Sequence, residues 1–449
     1  MKALLVSTPA MGHLHPLLGV GRMLISDGHE VLGVSSSFLR QRIEDIGAKF
    51  RSFLPEADID TRKLAELIPE LKVTPPGPEL LRLALRRGFS ESMLPQYESI
   101  KQALREFPAD IIIGDHLILG VLPLLLGPRS ERPPIVLLGT TYLISRRDDG
   151  APSDAGLPLA NSEQQLLEYA AQFRKYQEIV FGPVGNYLNA RLTEIGVKPM
   201  RTNLYDAMVE LPDCYLQLTV PRFEFPRRDL PPSVRFVGPL PITPHQAAIP
   251  SWGDELDRSR KIVLVTQGTL TNDDFSELVL PTLQALGNEA DIIVMVTTGG
   301  RPIETLRGPL PENVRVAEYL PFEWAMSKID AFVTNGGYGS VNQALSFGVP
   351  VVTAGTIADR GDVGARVAWS GVGINLATNA PTPDALRLAV RRVLDEPTFR
   401  EHAAAFASDA LGIDTRSEVL QALKQLVQAG NGQTGSAATA MRRSVKTAP

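Results

Sequence analysis

Short apolar runs alternate with helical periods along this chain, and the alternation occurs twice. In the first half KALLVSTP, HEVLGVSS, AKFRSFL, PADIIIGDH and PPIVLLGTT read as strands. HPLLGVGRMLISDG and SFLRQRIEDIG carry helical spacing, and LLRLALRRGFSESMLPQYESIKQALREF predicts a long helix interrupted near Pro95. In the second half RKIVLVTQGT, DIIVMVTTG, VRVAEYL, IDAFVTNGG and VPVVTAG repeat the strand pattern, with ELVLPTLQALG and SVNQALSFG as helices. Strands buried on both faces and separated by helices form parallel, doubly wound sheets. Between the halves VGPLPITPHQAAIPSWGDE holds four prolines and no periodic apolar face, which is linker chemistry. The expected architecture is α/β, with two doubly wound Rossmann-like domains facing across a cleft. Their bounds are residues 1–240 and 259–428, with a linker over 241–258 and a disordered tail over 429–449. The helices expected over 382–428 include the last ones, which are candidates to pack back on the first domain.

Composition narrows what such a cleft serves. Lys+Arg 45 against Asp+Glu 50 gives a net charge of −5. That balance argues against nucleic acid or an anionic membrane as the main partner and leaves at most peripheral membrane contact. The single cysteine, Cys214, excludes an intramolecular disulfide and a cysteine-built zinc site, and points to a reducing, cytoplasmic compartment. The apolar run at the N-terminus breaks at Ser7-Thr8-Pro9, too early for a secretory leader. The first strand is therefore expected from residue 2 or 3, with nothing cleaved.

Ligands of open parallel sheets bind outside the carboxyl ends of the strands. Ser7 to His13, Asp115, Thr140-Thr141, Gly268-Thr269, Thr334 to Ser340 and Asp359 all stand at such ends. Asn335-Gly336-Gly337-Tyr338-Gly339-Ser340 is a glycine-rich turn opening a helix. Backbone N–H groups at that helix start favour a phosphate, and Ser340 adds a hydroxyl. The same run also reads as an ordinary strand-to-helix turn that needs glycine. His13 lies where the first strand gives way to a helix. A histidine there serves more often as a structural hydrogen-bonder than as a base. Asp115, ending another strand of the same sheet, tips the balance by offering the imidazole a buried carboxylate. Side chains alternate along extended chain, so of Asp115 and His116 only one is expected to face His13. Asp58-Ile59-Asp60 has the form of a metal-binding pair but reads as a solvated charge run, and no metal is expected.

These motifs resemble those of the GT-B glycosyltransferases in the UDP-glycosyltransferase superfamily, over roughly residues 1–425. Pro9-Ala10-Met11-Gly12-His13-Leu14-His15-Pro16 matches the family's PxxGHxxP, and Tyr319 to Arg360 matches its donor motif without a gap. The resemblance implies that His13 is the general base and Asp115 its partner. It implies donor contacts from Gly12, Gly268, Thr269, Tyr319, Leu320, Phe322, Asn335, Gly336, Gly337, Gly339, Ser340, Gln343, Asp359 and Arg360. The sequence departs from the family pattern at four places. Tyr319-Leu320-Pro321-Phe322 replaces Trp-x-Pro-Gln, Asn335 replaces a histidine, Gln343 a glutamate, and Asp359-Arg360 an acidic-Gln pair.

The implied reaction is inverting transfer of a hexose from a nucleotide sugar to a hydroxyl, with no cofactor and no metal. UDP-glucose is the default donor; the departures keep a dTDP-deoxysugar such as dTDP-rhamnose open. The first domain would hold an apolar small-molecule or lipid acceptor, with Met11, Leu83, Met93 and Tyr142 as candidate contacts. Each apolar side chain among these also reads as core. A sugar-nucleotide epimerase of the same architecture would need more acid–base groups than the one pair found. A non-catalytic sugar-nucleotide-binding protein would fit the altered donor motif but not the retained His13 and Asp115.

Overall fold

A computed structural model describes residues 1–242, 247–256, 259–268, 272, 274–306 and 308–444, with backbone alone over 431–444. The first sheet holds β1 Lys2–Val6, β2 Glu30–Ser35, β3 Lys49–Ser52, β4 Ile111–Asp115, β5 Ile135–Gly139, β6 Cys214–Gln217 and β7 Val234–Phe236. Its order is β3-β2-β1-β4-β5-β6-β7. The second holds β8 Lys261–Thr266, β9 Ile292–Thr297, β10 Val314–Ala317, β11 Ala331–Thr334, β12 Val351–Thr353 and β13 Gly373–Asn375, in the order β10-β9-β8-β11-β12-β13. All strand pairs are parallel. The doubly wound α/β architecture read from the sequence is the architecture found.

Each order reverses once, between β1 and β4 and between β8 and β11. At such a switch point the crossovers leave to opposite faces and open a crevice at the strand ends. Register brings the two crevice walls level. Val6 lies opposite Gly114, so the residues after β1 meet Asp115; Thr334 lies opposite Thr266, so the turns after β8 and β11 adjoin.

Alternation along β1 sends Ala3 and Leu5 into one buried cluster and Leu4 and Val6 into another. The helix Met11–Ser26 packs Leu17 and Leu24 into the first of these. That helix starts at Ala10, which has no side-chain cap. A missing cap costs about 1 kcal/mol. Each fully buried leucine contributes about 1.5–3 kcal/mol, so packing rather than capping places this helix. Val419, Leu420 and Leu423 of the final helix, Thr415–Ser444, share the same cluster. Among the described residues no helix is long and apolar enough to cross a membrane.

Several sequence expectations change here. The long helical stretch is interrupted over 84–92, by a π turn at Ala84–Phe89 and a 3-10 turn at Ser90–Ser92. Pro95 instead sits in the first turn of the helix Met93–Glu106, where its missing N–H leaves no bond unmade. Strands β6 and β7, four and three residues long, were not anticipated. Helical backbone runs through Ser444, overlapping the tail expected to be disordered from 429; residues 445–449 lie outside the described residues. Of the linker, 243–246 and 257–258 lie outside them too. Asp58 accepts from the Ser37 amide and Asp60 caps a turn at Arg62, both at the exposed surface.

Candidate active site

At the first switch point Asp115 is wholly buried and surrounded by donors. The Thr8 amide (2.7 Å) donates to Oδ2. Thr8 Oγ1 (2.8 Å), His13 Nδ1 (2.8 Å) and the Leu117 amide (3.0 Å) all meet Oδ1. Burial alone would raise this carboxyl. The charge and hydrogen bond of His13 and the Thr8 amide outweigh it and hold Asp115 at about 2. An ionised carboxylate accepts, so His13 Nδ1 carries the proton and Nε2 keeps its lone pair. Nε2 has no hydrogen bond among the described residues, and the side chain retains 19% exposure. Burial pulls the His13 pKa down, but Asp115, with a smaller contribution from Asp359, raises it above the ordinary value.

His116 also faces His13, against the alternation argument. Its ring lies 5.1 Å from that of His13, centroid to centroid. The reason is that β4 ends at Asp115 and the chain turns, so strand alternation stops there. Burial and the neighbouring His13 charge push His116 down to about 3, so it stays neutral. Thr140 Oγ1 bridges the two rings, 3.1 Å from His116 Nδ1 and 3.5 Å from His13 Nδ1. His13, Asp115 and His116 are close enough to chelate an ion. Asp115 Oδ1 meets three donors and Oδ2 one.

At the second switch point Gly268 and Gly336 have φ +75° and +92°, which favours glycine at both turns. Gly337 caps the helix Tyr338–Ser346 with no side-chain bond. The amides of Gly339 and Ser340 therefore have no partner among the described residues, and a Cβ at Gly339 would meet open space. Ser340 Oγ turns inward to Gly337 O at 2.9 Å. Gln343 is half-buried four residues after Gly339, on the same face. Asn335 Nδ2 donates to Gln267 O at 2.8 Å, tying the β11 turn to the β8 turn. Tyr319 is 42% exposed, and its phenol lies where a side chain at Gly300 would stand. Gly12 is exposed at the mouth of the first crevice. Arg360 is half-buried, packed against Gly336, and burial lowers its pKa. Thr269 lies outside the described residues.

Thr141 Oγ1 reaches across to the other wall and donates to Asp359 Oδ2 at 2.7 Å. Asp359 follows Ala358, whose φ of +55° is a strained backbone beside the cleft.

Four expected contacts are engaged with other protein groups. Leu320 is buried in the core, and Phe322 packs edge-on against Phe332 at 6.1 Å. Phe322 also lines a cavity of about 410 Å³ with Ile242, Pro321, Trp324 and Phe347, next to the linker. Met93 is 0% exposed and Tyr142 1%. The Tyr142 hydroxyl donates to Asp154 at 2.7 Å while its ring stacks on Arg366, so it belongs to a buried polar network. An apolar side chain on a helix signals burial, not which cavity it lines. Met11 and Leu83 remain half-buried.

The C-terminal domain of erythromycin biosynthesis protein CIII-like proteins matches residues 278–426. The 4'-demethylrebeccamycin synthase of Lentzea aerocolonigenes is 34% identical over 429 residues, covering 95% of this chain and 99% of the relative. The chain belongs to the GT-B glycosyltransferases. UDP-glucosyltransferase B1 of Starmerella bombicola is 29% identical over 88% of this glycosyltransferase and 92% of its own length. The calicheamicin glycosyltransferase CalG4 superposes with a TM-score of 0.72 at 20% identity, over 95% and 98% of the two chains. The protein is thus a nucleotide-sugar glycosyltransferase for small-molecule acceptors, with crevices at both switch points of its two sheets.

Proposed function

We propose that this glycosyltransferase is an inverting enzyme that carries glucose from UDP-glucose to a hydroxyl of an apolar small molecule. The observation that carries this reading is the His13–Asp115 pair, with an unbonded Nε2 at one switch point and an uncapped helix N-terminus at the other. His13 Nε2 takes the acceptor proton as the oxygen attacks the anomeric carbon. Asp115 stabilises the imidazolium. UDP leaves from the opposite face, so configuration inverts. Its developing charge is met by the amides of Gly339 and Ser340, the helix dipole and Arg360. Tyr319 offers a ring for the base to stack on. Asp359, with one oxygen held by Thr141, presents the other to a sugar hydroxyl. The scheme needs no metal. The UDP-glucosyl name of one relative supports the donor. Gln343 in place of the family's glutamate favours a second donor, a dTDP-deoxysugar. The acceptor would lie against the π turns Ala84–Phe89 and Gln177–Phe181, near Leu83 and Met11.

Calorimetric titration with UDP, dTDP and their sugar conjugates, with and without EDTA, tests the donor. Tighter UDP binding, unchanged by EDTA, is the expected result. Preferential dTDP binding replaces UDP-glucose by the deoxysugar reading, and EDTA-sensitive binding overturns metal independence. Asp359→Ala removes a charged hydrogen-bond acceptor worth about 1.5–3 kcal/mol. It is expected to lower kcat/KM for the donor about 10- to 100-fold, mostly through KM, in steady-state assays. An unchanged KM removes Asp359 from the sugar site.

A further inference from the structure

β6 and its continuation carry polar side chains that neither the fold nor the chemistry above explains. Gln217 and Thr219 are both fully buried, at the far side of β5 from the dyad. Gln217 ends β6 and Thr219 lies in the bend that follows. Both reach the other sheet's donor-side helix, Tyr338–Ser346. Gln217 Nε2 donates to Tyr338 Oη at 2.6 Å and to Thr141 O at 2.7 Å. Thr219 Oγ1 donates to Asn342 Oδ1 at 2.5 Å. Tyr338 and Asn342 are four residues apart and share one helix face. Asn342 Nδ2 in turn bonds Tyr338 O at 3.0 Å, which orients the amide. Gly139 leaves the room: a Cβ there would stand 2.3 Å from Gln217 Oε1.

These contacts form one continuous chain. Thr140 touches His13 and His116; Thr141, the next residue, holds Asp359 through its hydroxyl and Gln217 through its carbonyl; Gln217 holds the first residue of the helix whose N-terminus faces the donor. Buried bonds of this kind are costly to leave half-made, so they fix a distance rather than merely adding stability.

We infer that Gln217 and Thr219 are positioning residues that hold the donor-phosphate helix in register with His13. They touch neither substrate. The inference rests on the reading of His13 as base and of Gly339-Ser340 as the diphosphate site.

The experiment compares wild type, the double variant Gln217→Leu/Thr219→Val, Tyr338→Phe and Thr219→Ser. Tyr338→Phe removes the Gln217 bond by deleting one oxygen and guards against a misfolded double variant. A misplacement of about 1 Å costs about 100-fold in rate. The double variant is expected to lose at least about 30-fold in kcat, with UDP affinity within about threefold and faster amide exchange over 338–346. Tyr338→Phe should move the same way by a smaller factor, and Thr219→Ser, which keeps the hydroxyl, should retain the wild-type rate. Parallel loss of kcat and UDP affinity, kcat within threefold of wild type, or unchanged amide exchange each overturns the inference. If wild type itself transfers no sugar, the proposed function fails, and amide exchange alone then decides the inference.

Discussion

His13→Ala should abolish most turnover while leaving nucleotide binding intact. General-base catalysis supplies about 10²- to 10⁴-fold, and no second base stands ready to replace it. His116 is the neighbour best placed, but it is held neutral near 3 and shares a hydrogen bond with Thr140. A group with so low a pKa is a poor proton acceptor at neutral pH. UDP affinity should be unchanged within about twofold, because the proposed diphosphate site is built from the other sheet. Turnover that survives in His13→Ala would remove the base assignment, and with it the distinction from a non-catalytic nucleotide-sugar binder.

The same dyad sets a pH profile. As the proposed base, His13 acts only when neutral. Its pKa is raised, because Asp115 attraction outweighs burial. The acid limb of kcat/KM should therefore fall above the ordinary histidine value of about 6.5, with rate lost as pH drops through it. Asp115, at about 2, adds no limb in the neutral range. In Asp115→Asn the attraction is gone and burial remains, so the limb should move to lower pH. The rate should also fall about 10³- to 10⁴-fold, since an amide no longer fixes the productive tautomer. A limb that stays in place in Asp115→Asn would mean another group is titrating.

Much of the geometry of this candidate site is legible in the sequence because each part has a local signature. Asp115 ends the apolar strand β4, His13 stands in the first turn of the helix after β1, and the Gly336-Gly337 pair opens a helix. Doubly wound topology then brings those ends together. What could not be read depends on pairing across the chain. The two bonds from Thr8 to Asp115 exist only because β1 lies beside β4, 107 residues away. β6 is four residues with little pattern, so Gln217 and Thr219 offered no signal. Tyr142 and Met93 looked like pocket residues because hydrophobicity reports burial without direction. Leu320 shared a donor motif, yet it turns into the core beneath Tyr319.

The buried network behind Asp359 carries the largest expected effect on stability. Arg366 is 0% exposed, on the helix Arg360–Trp369 that Asp359 caps. Its guanidinium lies between the rings of Tyr142 and Phe225, at 4.4 and 4.5 Å. Its Nε donates to Glu224 at 2.8 Å, and Asp362 Oδ1 lies 3.8 Å from Nη1. Arg366→Met keeps most of the bulk but leaves Asp362 without its cation and Glu224 with Arg227 alone, 3.9 Å away. Removing one partner of a buried pair costs about 3–5 kcal/mol. Thermal unfolding should drop by roughly 5–10 °C. Arg366→Lys should recover only part of this, since an ammonium has no planar fork to stack and bond at once. Asp362 gives the effect a pH signature. Burial pushes its carboxyl up to about 7, Arg366 opposes that, and Asp154 adds to it. A raised carboxyl binds its proton more tightly folded than unfolded. Its contribution to stability is therefore greatest at acid pH and is lost as pH rises from about 4 through 7. Without Arg366 the carboxyl rises further, so the loss should extend to higher pH. The gap in Tm between wild type and Arg366→Met should then widen from mildly acid to mildly alkaline buffer, measured by calorimetry. A gap independent of pH would mean that Asp362 is not part of what Arg366 stabilises.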